Sequence, residues 1–316
     1  MKYYADDVNL HVRIHAMRSR LIPLDEYASL LREQEASYDK SLGPRGMIEA
    51  KETAFRVQIK GIIHLAEATQ KYAPLFIAFL RLYEANNVKI ILAKAFGRQS
   101  LEQWYNIGPY ATLDKGLLDR ELSLGDVQAI LGGTYLADIF EGRMTFERLE
   151  ARLNICSVRN LYASSAPFRP EARRDFRDFI LRRLAVLMVI WQWRLRVNYH
   201  WSDERIEAHR DELSAIFGDS AWPQLKMVEG VLSSRLEEMG KGSGQTPDPA
   251  DVKSYLERYY YRWTSSMFHK DFHSIYCVVA YLWLLSCQIR NLFCVIEGVR
   301  FGLSHEAIFE KIISDV

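Results

Sequence analysis

The sequence predicts an all-α protein made of similar helical modules, and three observations lead there. Apolar residues recur at helical spacing over long stretches, and no alternating strand pattern competes with them. Seventeen Gly and nine Pro in 316 residues are too few for a chain of many short strands and tight turns. One helix-plus-turn pattern also returns along the chain at fixed offsets, and such a repeat sets the architecture.

The pattern is clearest near the end: Gln288, Ile289, Arg290, Asn291, Leu292, then Val295 and Ile296, then Phe301 to Ile308. An earlier copy reads Glu84, Asn87, Val88, Ile91, Leu92, Phe96, Gly97, Ser100, Leu101 and Glu102. The first opens the chain with Asp6, Asn9, Leu10, Ile14 and Arg18, followed by Asp25, Glu26 and Tyr27. Each copy places an acid or amide three residues before an Asn, so the two are neighbours on one helix. Each also carries an apolar stripe, such as Ile289, Leu292, Phe293 and Ile296 at i, i+3, i+4 and i+7. Asn is a mediocre helix former, so its return in one frame needs a reason. The expectation is that Asp6/Asn9, Glu84/Asn87 and Gln288/Asn291 hydrogen-bond to the next helix and lock module to module. Gly97 and Gly302 are placed to end their helices with a left-handed residue. Ser100 and Ser304 follow as N-caps, with Glu102 and Glu306 where a carboxylate favours the helix dipole.

Spacing extends the repeat. Asn87 stands 13 residues before Ser100, and Asn291 stands 13 before Ser304. A worn copy fits the same ruler: Ser202, Asp203, Glu204, Arg205 and Ile206 form the capping turn, and Val189 stands where an Asn would. Position 189 is 102 residues from both 87 and 291, while 9 to 87 is shorter at 78. Four motif copies bound three modules, at about 20–99, 100–201 and 202–303, with 1–19 and 304–316 as flanking halves.

Between the copies the chain reads as helix from about 24 to 34 and from 49 to 71, separated by Gly43-Pro44-Arg45-Gly46. Pro74 starts the helix that carries Glu84 and Asn87. A looser region with Gly108-Pro109 and Gly132-Gly133 follows, and residues 163–170 form a loop. Long helices are expected over 173–197 and 202–217. Gly240 to Pro249 reads as a flexible polar loop, with helix from Asp251 to the end.

Composition excludes several classes. Forty-one Lys and Arg against forty Asp and Glu leave a net charge of +1. A nucleic-acid binder driven by bulk charge carries a domain pI above roughly 9. Cys156, Cys277, Cys287 and Cys294 form no C-x-x-C and read as reduced, buried thiols. Charged residues from Lys2 onward give no signal-peptide pattern. The apolar run Ile275 to Leu285 is short of the roughly 20 residues a spanning helix needs. The expectation is a soluble protein that meets a membrane only through a partner.

Chemistry-bearing motifs are sparse. Gly240 to Thr246 lacks the order of a phosphate loop and has no preceding strand. His11 with His15, and His269 with His273, are i, i+4 pairs without the Glu of a metalloprotease helix or a third ligand. Asp6-Asp7 reads as the start of the first helix. No G-x-S-x-G or Cys/His nucleophile arrangement stands out. No catalytic, cofactor or metal residue is expected. A basic run, Arg173, Arg174, Arg177, Arg182, Arg183, Arg194 and Arg196, brackets the apolar stretch Leu184 to Trp193. It serves either as solvated helix ends or as electrostatic steering onto acidic loops of a partner. Tyr259-Tyr260-Tyr261-Arg262-Trp263 is either packing or an interface anchor. The candidate interface is therefore Arg173, Arg174, Arg182, Arg183, Tyr260 and Trp263.

The stretches Asn9 to Tyr27, Tyr83 to Ser100 and above all Phe268 to Ile308 resemble the C-type subunits of V/A-type ATPases, a family related to the d-type subunits of the eukaryotic enzymes. Gln288 replaces the acid usual in the family, and Val189 the Asn. The resemblance implies a funnel of three similar domains around a pseudo-threefold axis. It implies a non-catalytic central-stalk socket on the cytoplasmic face of the proteolipid ring. There the foot of the central shaft, built from the D and F subunits, docks, and ATP hydrolysis or synthesis is coupled to proton or sodium transport. A helical-repeat scaffold for proteins or RNA is the leading rival; the 102-residue interval and near-zero charge oppose it. A helical enzyme with a metal-bound carboxylate cluster is the second.

Overall fold

In the computed structural model, residues 7–37, 43–98, 103–142, 144–207, 222–243 and 247–314 are described, and their regular elements are all helical. In chain order these are α1 (Asp7–Arg18), α2 (Tyr27–Ser37), α3 (Gly43–Ala68), α4 (Ala73–Ala95), α5 (Leu124–Leu131) and α6 (Phe146–Ala163). Then come α7 (Pro170–Asn198), α8 (Trp222–Ser243), α9 (Pro249–Phe268), α10 (Ile275–Arg300) and α11 (His305–Lys311). Single 3-10 turns at Leu24–Glu26, Gly108–Tyr110, Lys115–Asp119 and Ala137–Phe140 join some of them. The all-α expectation holds.

Three boundaries differ from the sequence reading. Gly43-Pro44-Arg45-Gly46 is the first turn of α3 and not a separating loop, because a proline in the first turn gives up an N–H that has no helical partner there. Gly240 to Ser243 continue α8; a helical glycine costs about 1 kcal/mol, which Leu225, Val228 and Leu232 on the buried face offset. The stretch after Asp251 breaks where Asp271 folds a turn, its carboxylate accepting the His273 N–H at 3.0 Å. The expected helix over 202–217 is helical at 203–207; its remainder, with Asp6, Ser100, Glu102 and residues 244–246, lies outside the described residues.

Two compact units divide the chain by packing: Met1–Phe168 with Gln288–Ile312, and Arg169–Cys287 with Ile313–Val316. The three expected modules are defined by sequence repeat, a separate criterion. In the first unit α4 is the central helix. It buries Leu75, Phe76, Phe79, Leu80, Val88, Ile91 and Leu92, wider than one stripe and characteristic of a helix enclosed on several sides. Its second half anchors a core with Trp104, Leu113, Leu131, Leu136, Leu149 and Leu153. A smaller cluster joins Tyr27 and Leu31 of α2 to Val295 of α10 and Ile308 and Ile312 near the end. There α10 and α11 approach so closely that a Cβ on Gly298 would lie 2.4 Å from Ile308 Cγ1. In the second unit, Phe176, Phe179, Ile180 and Leu184 of α7 are buried with Val252, Leu256, Tyr260 and Phe268 of α9. By length and composition α10 could cross a membrane, yet 78% of its apolar window is buried inside the protein, the placement of a core helix.

The repeat is visible in the backbone. Gly97 and Gly302 have φ of +69° and +64°. Arg98 N–H donates to the Ala93 carbonyl and Gly97 N–H to Lys94; Leu303 donates to Gly298 and Gly302 to Val299. Both are complete Schellman closures, with the C″-to-C3 and C′-to-C2 bonds that satisfy the last helical carbonyls. The worn copy keeps the device without the glycine: His200, 102 residues before Gly302, has φ +52°, and Trp201 N–H closes on Leu195, one residue wider. After these turns Ser304 Oγ accepts the Ala307 N–H at 3.2 Å, and Ser202 Oγ accepts the Arg205 N–H at 3.4 Å.

A positive φ on a residue with a Cβ costs roughly 1–2 kcal/mol, part of which a glycine returns to greater chain freedom when unfolded. His200→Gly should therefore raise stability by up to about 1 kcal/mol. The urea midpoint reads this directly, and an unchanged or lower midpoint would remove the claim of a strained cap.

Candidate functional site

Glu84 and Asn87 are buried, 0% and 1% exposed. Among the described residues their backbone partners lie in a loop, where the sequence suggested a neighbouring helix. Together Glu84 and Asn87 hold the segment 103–113 that follows α4, irregular except for its 3-10 turn at Gly108–Tyr110. The Asn87 amide pairs with the backbone of one residue: Nδ2 donates to the Tyr105 carbonyl at 2.9 Å, and Oδ1 accepts the Tyr105 N–H at 2.8 Å. Glu84 Oε1 accepts the N–H groups of Thr112 and Leu113, the second at 3.1 Å. Glu52 of α3 adds a third hold, accepting the Trp104 N–H at 2.9 Å and pairing with Lys115 at 2.8 Å. A segment without helix or ladder must find partners for its buried peptide groups, and these three side chains supply them.

Rings and a phenol complete the clamp. Tyr105 packs edge-on against Phe55 at 4.9 Å between centroids, with Tyr83 at 5.6 Å and Phe293 at 6.3 Å. The Tyr135 hydroxyl lies 3.1 Å from the Arg81 carbonyl and 3.5 Å from Glu84 Oε2. Burial, and then the Glu84 charge, push that phenol far above its ordinary range, so it remains a donor.

The last copy repeats the principle. Gln288 Oε1 accepts the Ile22 N–H at 2.6 Å, and its Nε2 donates to Gln58 Oε1 at 2.6 Å. Ile22 lies just after α1, the helix of the first copy, as Tyr105 lies after α4. Asn291 is 4% exposed and also has polar or electrostatic partners in the structure. Asn9 is exposed on α1. Nearby Lys51, with a side chain 10% exposed, pairs with Glu297 at 2.5 Å and lies 5.2 Å from the Phe293 ring.

Most of the candidate interface lies inside the second unit. Arg183 forms a two-pronged ion pair with Glu257 at 2.9 and 3.1 Å and sits over Tyr260. Arg182 donates to Gln224 at 3.2 Å and stacks on Trp263 at 4.2 Å. Trp263 and Tyr260 meet Phe179 at 4.7 and 5.9 Å. Tyr260 is 1% exposed, and burial raises its phenol well above the ordinary value. These four side chains hold α7 to α8 and α9, and Tyr260 offers a partner no surface. Arg174 is 73% exposed beside Asp175, and Arg173 is half-buried one residue before it.

Among the described residues no group of three or more His, Cys, Asp and Glu is arranged to hold a metal. The four cysteines are free thiols, and burial pushes Cys277 up to about 12. What the described residues build is a set of backbone clamps and ion pairs that fix helices and loops.

The family described as "ATP synthase (C/AC39) subunit" matches residues 10–311, nearly the whole chain. This protein belongs to that family. No curated protein matches the chain. As an ATP synthase C/AC39 subunit it is a component of a rotary ATPase, and the clamps lie within the matched region. The sequence pointed to Glu84, Asn87 and Gln288, but not to Glu52, Lys51 or Tyr135. Those lie on other elements, and nothing in the local sequence around them marks which residue each meets.

Glu84→Leu and Asn87→Leu each strand backbone groups of the clamped segment and should cost about 1–3 kcal/mol. Amide exchange over 103–113 should accelerate in both variants. Unchanged exchange there would dismiss the clamp. Glu257→Ala leaves Arg183 buried without its carboxylate, at about 3–5 kcal/mol, whereas the double change Arg183→Met with Glu257→Leu should recover much of that. Urea unfolding of the three proteins decides it, and a double variant no better than the single would count against a desolvated pair.

Proposed function

We propose that this C/AC39 subunit is a non-catalytic central-stalk component of a V/A-type ATPase or ATP synthase. It acts as a socket on the cytoplasmic face of the membrane, between the proteolipid ring and the D and F subunits of the shaft. Its contribution to coupling ATP hydrolysis or synthesis with proton or sodium movement is mechanical, and it reaches the membrane through those partners. The family match over residues 10–311 carries this reading. The internal geometry supports it. A torque-bearing body needs loops that do not give way, and the segment after α4 is pinned by Glu52, Glu84 and Asn87. We further propose that the repeat marks three modules, about 20–99, 100–201 and 202–303, arranged pseudo-threefold as a funnel.

Arg173 and Arg174 remain candidates for partner contact. They stand in the first turns of α7, where cations add to the positive end of the helix dipole. The resulting positive field suits steering of an acidic surface.

An affinity pull-down from gently solubilised native membranes tests the reading. Recovery of proteolipid and shaft subunits with ATPase activity is the expected result; a soluble fraction free of them would overturn it. Arg173→Glu with Arg174→Glu should slow assembly at low salt by about tenfold or more, and the exposed Arg174→Glu alone should leave fold stability within about 0.5 kcal/mol. An association rate insensitive to both charge and salt would rule the pair out.

A further inference from the structure

The Schellman-type turn recurs three times, and each time an aromatic residue stands just before the left-handed position: Phe96 before Gly97, Tyr199 before His200, Phe301 before Gly302. Their surroundings differ. Phe96 is covered from within the chain: Phe146, the first residue of α6, meets it edge-to-face at 5.8 Å, and the Arg98 guanidinium lies 4.2 Å over the Phe146 ring. Phe301 is 68% exposed, with Leu303 at 48%, and Tyr199 is 56% exposed. Each of the two units therefore carries one uncovered aromatic turn.

Exposure of a single apolar side chain is ordinary. Two at equivalent places of a repeat, 102 residues apart, are a pattern. The helix end that presents each ring is fixed: Gly302 and Leu303 close on α10 through two backbone bonds, and Trp201 closes on α7 through one. A ring on a fixed turn loses little side-chain freedom on binding, and aromatic anchors of this kind dominate interface energetics.

The covered copy shows what fits. Its occupant is the start of an α-helix, N-capped by Thr145, with an aromatic residue in first position. The first turn of a helix leaves its end open, so a ring there can reach edge-on into a neighbouring turn without displacing helical side chains. We infer that Phe301 with Leu303, and Tyr199, are docking knobs for a partner protein, each taking an aromatic-led helix start in the manner of Phe146 on Phe96. The inference rests on the rotary-ATPase reading, which makes the partner another subunit of the complex.

The test replaces Phe301 and, separately, Tyr199 in the full-length chain by the photo-crosslinker p-benzoylphenylalanine. Each protein is assembled in native membranes and irradiated, and the adducts are mapped by mass spectrometry. Crosslinks to the first turn of a helix in another subunit of the complex are expected. In parallel, Phe301→Ser with Leu303→Ser, and Tyr199→Ser, should reduce retention of partner subunits by roughly tenfold, the effect of losing one modest anchor. Their unfolding midpoints should match the parent, because these side chains contribute little to the core. Parent retention with undiminished variant retention, or adducts to lipid only, would overturn the knobs and leave the functional reading standing. A parent chain that retains no partner would overturn that reading, and the knobs with it.

Discussion

The first unit depends on side chains of two adjacent helices that bond to the backbone of a loop. Residues 103–113 cover the second half of α4 and contribute Trp104 and Leu113 to its core, yet apart from the single 3-10 turn Gly108–Tyr110 they have no helix or sheet to satisfy their peptide groups. Without acceptors from α3 and α4 those N–H groups would be buried and unpaired, and the loop would leave its place. Glu84 and Asn87 thus act as substitutes for secondary structure. Their burial answers the question raised by an Asn in the middle of an apolar helix: it faces a backbone, and no hydrophobic side chain offers both a donor and an acceptor.

The second unit is ordered by a different device. A buried Arg183–Glu257 pair, flanked by Tyr260, Trp263 and Phe179, joins α7 to α9. Such a pair adds little net stability compared with a well-packed apolar pair, but it tolerates few alternatives in how two helices meet. Side chains that suggest an interface by composition, aromatics beside arginines, here fulfil their pairing inside the unit. The same chemistry suits both places, because cation–π stacking and two-pronged ion pairs work best where water is excluded.

Helix type, the left-handed caps at Gly97 and Gly302 and the serine N-cap at Ser304 were legible in the sequence because each is local. A glycine at the end of an apolar stripe, followed by a serine and a glutamate, fixes backbone geometry within a few residues. The 102-residue ruler located the capping turn at Ser202, but the left-handed residue His200 just before it was not legible, because no glycine marks it. The partners of Glu84 and Asn87 were not legible. Their bonds to the loop span 18 to 29 positions and end on peptide groups, which carry no residue-type signal. Glu52 reaches 52 positions away to Trp104 for the same reason. The interior role of Tyr260 was hidden too, since four adjacent large rings leave open which one faces inward. Its place on α9 with Val252, Leu256, Thr264 and Phe268 decided it.

The clamp on 103–113 reads peptide groups and ignores what side chains the held residues carry. Ala111 and Thr112 are exposed, and the bond from Thr112 to Glu84 uses only its N–H. Selection can therefore rewrite the outer face of this loop while Glu84 and Asn87 stay fixed. A lineage could change what the loop touches without reopening the problem of how it folds. In such a protein the constant letters of the sequence belong to the grip, and the variable ones to whatever the gripped loop meets.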